Sequence, residues 1–260
     1  METIADKEAA FDEEFFVTKK KSQLKEVWKR FKRNRMAMMG LVVLCILVFV
    51  AVFAPFIAPY PYDKQNLLDR RATPGGKYLL GADHLGRDIL SRLFYGARIS
   101  LVVGFISVGV GLTLGGILGA IAAFYGGRFD DVIMRFNDMM QSVPQTILAI
   151  AISAALGSGI VYTMLAVGIA TIPIFSRVTR ASMLTVKEQE YIEAASAVGA
   201  GHVRIIFRHI LPNSLAPILV QATDNVASAI LTAASLSFVG LGVQPPHRNG
   251  DQCWLQGALS

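Results

Sequence analysis

Three groups of residues in this chain have types and spacings that could do chemistry, and none is equipped to break a bond. The first is Glu193-Ala194-Ala195-Ser196-Ala197-Val198-Gly199, followed by Leu211-Pro212. A carboxylate beside two methyl-sized side chains and a glycine break makes a compact knob that another protein can grip. The second group alternates acid and base between Asp83, Arg87, Asp88 and Arg92, with Gly81, Gly86 and Ser91 interspersed, a pattern suited to a loop that pairs with itself. The third is Asp224, a single carboxylate in an otherwise uncharged apolar run. Facing lipid it would cost a few kcal/mol, about 3 at a span's centre, so it is expected to face a helix bundle or a translocation path.

Other chemistry is missing. Gly75-Gly76-Lys77 lacks the upstream glycine and the following hydroxyl of a phosphate-binding loop, so the chain is not expected to bind ATP. No HExxH, GxSxG or CxxC pattern occurs. His202 and His209 stand seven residues apart without an acidic or thiol partner at ligand spacing, and Cys45 and Cys253 form no framework. No catalytic residue, metal or cofactor is therefore assigned.

The elements that must position these groups are membrane helices. With 53% hydrophobic and 17% charged residues and a positive mean hydropathy, 260 residues are too apolar for an ordinary soluble domain. Uncharged runs place span one at 36–58, ended by Pro55, Pro59 and Pro61, and a glycine-rich span two at 99–127. Residues 139–176 suffice for spans three and four, turned at Gly157-Ser158-Gly159, and a fifth runs from about 214 to 243. The fold class is thus all-α and polytopic, with five predicted transmembrane helices. Between spans four and five, Thr185-Val186-Lys187-Glu188 reads as a capping box opening the helix that Gly199 closes. A second helical piece, 202–210, is expected to end before Pro212, which restricts Leu211 to extended geometry.

Ten of the 25 Lys and Arg precede residue 36, so the net charge of +6 reads as a cytoplasmic basic tail on an anionic leaflet and not as a nucleic-acid surface. Residues 1–35 form this tail, and the polar start makes span one an uncleaved anchor. A cytoplasmic N-terminus puts 59–97 and 157–159 outside and 125–138 and 177–212 inside. The outer loop together with Arg98 just after it carries seven cations against four Asp, which opposes that orientation; the large tail outweighs it because the first span usually dominates.

The 193–212 pattern resembles the EAA loop of permease subunits of bacterial ABC importers, although His209 stands where that family usually has an isoleucine. The block from Leu80 to Arg92, continued by Tyr95-Gly96-Ala97-Arg98, resembles the outer-loop signature of the peptide and nickel subgroup. Val143-Pro144, the 177–180 stretch, Glu190-Tyr191, 209–213 and 240–246 are similar as well, so the resemblance covers about 23–246. It implies a type I importer permease domain over 36–246 with six helices in an intact relative. It also implies ATPase coupling through Glu190, Glu193, Ala194, Ala195, Gly199, Leu211 and Pro212.

The partners it implies are a sister permease, two cytoplasmic ATPases that bind ATP and Mg, and an extracytoplasmic solute-binding protein delivering a di- or oligopeptide at the bacterial inner membrane. A nickel or other small-solute importer would share the outer-loop block. A stand-alone secondary transporter using Asp224 as its ion site is the more distant reading. Beyond Pro246 the family continues with Thr-Pro-x-Trp-Gly-x-Met-Leu, whereas this chain reads His247 to Ser260. Back-translated and shifted by one base, that stretch can give Pro-Glu-Trp-Gly-Ser-Met-Leu-Ala-Ala-Gly. Residues 247–260 are therefore expected to be a frameshifted tail replacing the sixth helix.

Overall fold

The computed structural model describes residues 28–29 and 31–242. Most of the basic tail, the end of the 240–246 motif and the 247–260 tail lie outside the described residues. The chain divides into two compact units, one up to Phe53 and one from Ala54. The first contains most of α1 (Arg35–Ile57), which is apolar on every face with a mean hydropathy of 3.0, as a lipid-surrounded helix must be. Pro55 lies inside its last turn, so the chain stops being helical just after the first of the three prolines.

The second unit is helical from α2 (Ile89–Tyr125) onward. Asp88 starts α2 by accepting hydrogen bonds from the Ser91 backbone N–H at 2.8 Å and the Ser91 hydroxyl at 2.6 Å. The helix therefore begins ten residues before the uncharged run, because the cap and not the last charge sets its start. Gly126 and Gly127, both with positive φ, turn the chain from α2 into α3 (Gly127–Gln141). A bend of 89° at residues 142–144 leads into α4 (Gln145–Leu156), with Pro144 extended at the bend.

The third expected span thus differs from expectation. Its apolar helix has only 12 residues, about 18 Å, and reaches the length of a crossing only together with the amphipathic α3. Gly157 and Gly159 then make the expected turn with φ of 110° and 143° into α5 (Ile160–Lys187). Among the described residues, four helical stretches are long and apolar enough to cross a membrane, and five if the bent pair counts as one span.

The α2–α5 pair forms the centre of the bundle. Gly111, Gly115 and Gly119 stand one turn apart on α2, and a methyl group on any of them would fall within 2.0 to 2.5 Å of Thr171, Ile172 or Ser176 atoms on α5. Gly104 makes the same allowance for Ile230 of the last helix, whereas Gly109 has open space beside it. Only those glycines on the buried stripe let backbones approach. Val108, Ala149, Val167, Ala170, Phe175, Ala229 and Leu236 fill the core between the helices.

Two local expectations are overturned. Thr185 does not cap a helix: it lies within α5, its hydroxyl donating to the Ala181 carbonyl at 3.0 Å. Burial of Met183 carries α5 through this position, and the chain breaks only at Glu188 and Gln189. Leu211 is helical, not extended, with φ −58° and ψ −48°. A π-helical turn over Ile206–Ile210 widens the chain ahead of Pro212, the Leu211 N–H reaching back five residues to Ile206. Proline is accommodated, and helix continues from Val203 to Phe238.

Candidate functional site

The knob expected between spans four and five is present. α6 (Glu190–Ala197) is a two-turn helix beginning after extended Gln189. Its end is locked by Gly199 at φ 84°, whose N–H donates to the Ser196 carbonyl at 3.0 Å while the Ala200 N–H reaches the Ala195 carbonyl at 3.1 Å. Those two bonds satisfy carbonyls that the helix end would otherwise leave open, and they require the left-handed conformation that glycine adopts without strain. α7 (His202–Ile205) and the π turn then lead into α8 (Leu211–Phe238).

The side chain that seats α6 is Ile192, which sequence reasoning passed over. It is 4% exposed and packs with Ala123 of α2, Met183 of α5, Ile205 and Ile210. A lone isoleucine between Tyr191 and Glu193 was the only signal available. Lys187 reinforces the seat by donating to the Ala123 and Phe124 carbonyls at 3.3 and 3.2 Å, closing the C-terminal end of α2. Two ion pairs, Arg180–Asp130 and Arg177–Asp138, tie α5 to α3. Buried Asn137 of α3 donates to the Ser176 hydroxyl of α5 at 2.8 Å.

With Ile192 directed inward, Glu190, Glu193 and Ala194 are exposed, Ala195 is half-buried, and Val198 is 90% exposed. Leu211 is half-buried and Pro212 exposed at the return to the span. The structure therefore presents the acidic and small residues of the motif outward from a rigid base. Val203 and Phe207 extend the exposed apolar surface beyond Gly199.

At the other end of α2 the 59–97 loop folds on itself around Asp83. One carboxylate oxygen accepts from the Leu85 and Arg87 backbone N–H groups at 2.8 and 2.9 Å, and the other from the Arg87 and Arg92 guanidinium groups at 2.8 and 2.6 Å. Burial pushes the Asp83 carboxyl up, but the hydrogen bonds from Arg87 and Leu85 outweigh it and hold the group at about 2. Gly86 lies at φ 73° against the Asn66 carbonyl, and Gly81 at φ 83° against that of Ala72. Asp88 and Ser91 are buried in the cap of α2. All seven residues singled out in this block belong to one folded loop; several of the outer cations that opposed the orientation are paired within it, Arg87 and Arg92 with Asp83 and Lys77 with Asp69.

Asp224 stands apart from both sites. It lies near the middle of α8 and is exposed, while its neighbour Asn225 is buried against the bundle. The expectation that it faces this chain's own bundle is not met, because the helix periodicity turns Ile218, Asn225, Ala229 and Leu236 inward and Asp224 outward.

A bundle of long apolar helices with a short helix presented outward at one end defines a polytopic membrane protein. The chain belongs to the binding-protein-dependent transport system inner membrane component family, which its residues 111–252 match; residues 22–74 match the N-terminal transmembrane domain of oligopeptide transport permease C. It is 46% identical over 232 residues to the di/tripeptide transport system permease protein DppC of Pseudomonas aeruginosa, covering 86% of this chain and 76% of that protein. It is 44% identical over 224 residues to the glutathione transport system permease protein GsiD of Escherichia coli O157:H7, covering 85% and 73%. A chain of the MetNI methionine ABC transporter, solved in inward-facing conformations, shares the fold with a TM-score of 0.50 at 19% identity, over 56% of this chain and 73% of that one.

Proposed function

We propose that this chain is the second permease subunit of an ABC importer that moves di- or oligopeptides across the bacterial inner membrane. It pairs with a sister permease, and two cytoplasmic ATPases bind and hydrolyse ATP with Mg. An extracytoplasmic solute-binding protein delivers the peptide. The observation that carries this reading is the exposed helix Glu190–Ala197, seated on α2 and α5 through buried Ile192. An ATPase groove that closes on nucleotide would move this helix, and its seat would pass the displacement into α2 and α5, because closely packed helices shift as units.

Glu193 supplies charge-assisted hydrogen bonds at that contact, Ala194 and Ala195 permit close approach, and Gly199 sets the helix end. Glu190 adds a second acid to the same exposed face. The folded 59–97 loop faces outside, and the N-terminus is cytoplasmic. The names of the relatives, peptide and glutathione permeases, favour a peptide over nickel. Family membership favours an ATP-driven assembly over a stand-alone transporter.

The test is capture of partners by the tagged chain in mild detergent, followed by dipeptide uptake in proteoliposomes. An ATPase and a second permease are expected to co-purify, and uptake is expected to require ATP and the binding protein. Purification of the chain alone, with uptake indifferent to ATP, would return the assignment to a stand-alone transporter.

A further inference from the structure

We propose that Asp224 is the recognition site for the substrate's ammonium group, halfway along the translocation path; this rests on the peptide-importer reading above. Asp224 lies 13 residues after Leu211 and 14 before Phe238 in an uninterrupted helix. At 1.5 Å per residue that is about 20 Å from either end, at mid-depth in the bilayer. Its side chain is exposed on this chain and makes no hydrogen bond or ion pair among the described residues. A carboxylate left in lipid at that depth is costly, so the face that carries it borders water or another protein.

The surroundings narrow the choice. One turn away on the same face stand Val220 and Ala227, with Leu231 a further turn on and Thr223 alongside, all exposed. Ala227 leaves room beside the carboxylate, and Val220 and Leu231 give it apolar walls. Gln221, three residues before, and Ser228, four after, stand half-buried beside it, while Asn225 turns inward and donates to the Gln221 carbonyl at 2.9 Å. The site is therefore a single negative charge with hydroxyl and amide groups on one side and apolar walls on the other. That suits a monovalent organic cation presenting N–H donors, which is what the amino end of a peptide is. A divalent metal would need several ligands, and no group of three His, Cys, Asp or Glu is placed to hold one among the described residues.

The exposed position on α8 leaves the peptide's remaining length to be contacted by whatever surface lies opposite. A carboxylate at mid-path also discriminates by charge. It admits the ammonium end of a peptide and disfavours free anions, which carry no compensating cation.

The experiment uses the whole importer, purified with its partner subunits, reconstituted in proteoliposomes and supplied with its binding protein. Uptake of radiolabelled Ala-Ala and binding-protein-stimulated ATP hydrolysis are measured for wild type, Asp224→Asn and Asp224→Glu. Asp224→Asn is expected to lower uptake about tenfold or more, the loss of one charged hydrogen bond, with assembly and stimulated ATP hydrolysis retained. Asp224→Glu is expected to stay within about threefold of wild type. In a parallel variant, Asp224→Cys is expected to react at position 224 with a charged, membrane-impermeant thiol reagent.

Undiminished uptake by Asp224→Asn, or a Cys at 224 that no aqueous reagent reaches, would overturn the site while leaving the importer reading intact. Loss of assembly in Asp224→Asn would overturn it in favour of an ion pair with the sister subunit. A wild-type complex that moves no peptide would overturn the importer reading itself, and the site with it.

Discussion

At the scale of single residues, the same carboxyl chemistry serves three ends according to surroundings. Asp83 is spent on structure, since four donors converge on it and keep it ionised down to about pH 2. Its folded-state pKa lies below the ordinary 3.8, so its contribution to loop stability is fully present above about pH 4 and is lost as pH falls towards 2. Relative to the intrinsic rate at each pH, hydrogen exchange at the Leu85 and Arg87 amides should therefore speed up between pH 4 and 2 in wild type. In Asp83→Asn it should be fast throughout. Gly86 is fixed more rigidly: an added Cβ would lie 1.8 Å from the Asn66 carbonyl oxygen, at a φ that alanine resists. Gly86→Ala is expected to destabilise the loop by about 2 kcal/mol or more, seen as faster proteolysis between 59 and 97 with α2 intact.

At the scale of elements, α6 separates a buried face from an exposed one within eight residues. Ile192→Ala should cost about 2–4 kcal/mol in the thermal unfolding of the purified chain, because its pocket between α2 and α5 would be left empty. Glu193→Ala removes an exposed side chain and should leave unfolding within about 0.5 kcal/mol of wild type. Under the proposed mechanism it nonetheless uncouples ATP hydrolysis from uptake. Gly199→Ala combines the two effects, straining the left-handed position by about 1 kcal/mol and tilting the helix end. Matched melting curves and coupling ratios for the three variants separate seat from contact; preserved coupling in both Glu193→Ala and Gly199→Ala would remove the roles assigned to them.

At the scale of the whole molecule, the bundle holds together by close backbone approach, since burial from water offers little between helices in lipid. The α2 glycines at 111, 115 and 119 meet α5 where a methyl would overlap backbone or side-chain atoms. Gly115→Leu should separate α2 from α5 and abolish a monodisperse peak in detergent size exclusion. Gly109→Leu, at a position with open space beside it, should leave the peak unchanged. The α3–α5 ion pairs and Lys187 gather α3, the end of α2 and α6 at one end of this bundle. The 157–159 turn lies at the other.

The sequence alone determined the elements whose signal is local. Uncharged length gave α1 and α5, paired glycines gave the 157–159 turn, and Gly199 marked the end of α6, because hydropathy and positive φ are properties of short stretches. Alternating Asp and Arg likewise announced a self-paired loop, since those partners lie within nine residues of one another. Tertiary structure decided what depends on distant partners. Thr185 could cap a helix only if the chain broke there, and packing of Met183 kept it helical. Pro212 should have ended a helix, and a π turn absorbed it. Span three looked like one straight crossing until the 89° bend split it. Ile192 carried no pattern, and whether Asp224 turned inward or outward hinged on which face of α8 met α2 and α5. Burial is a relation between segments far apart in sequence, and only the assembled bundle specifies it.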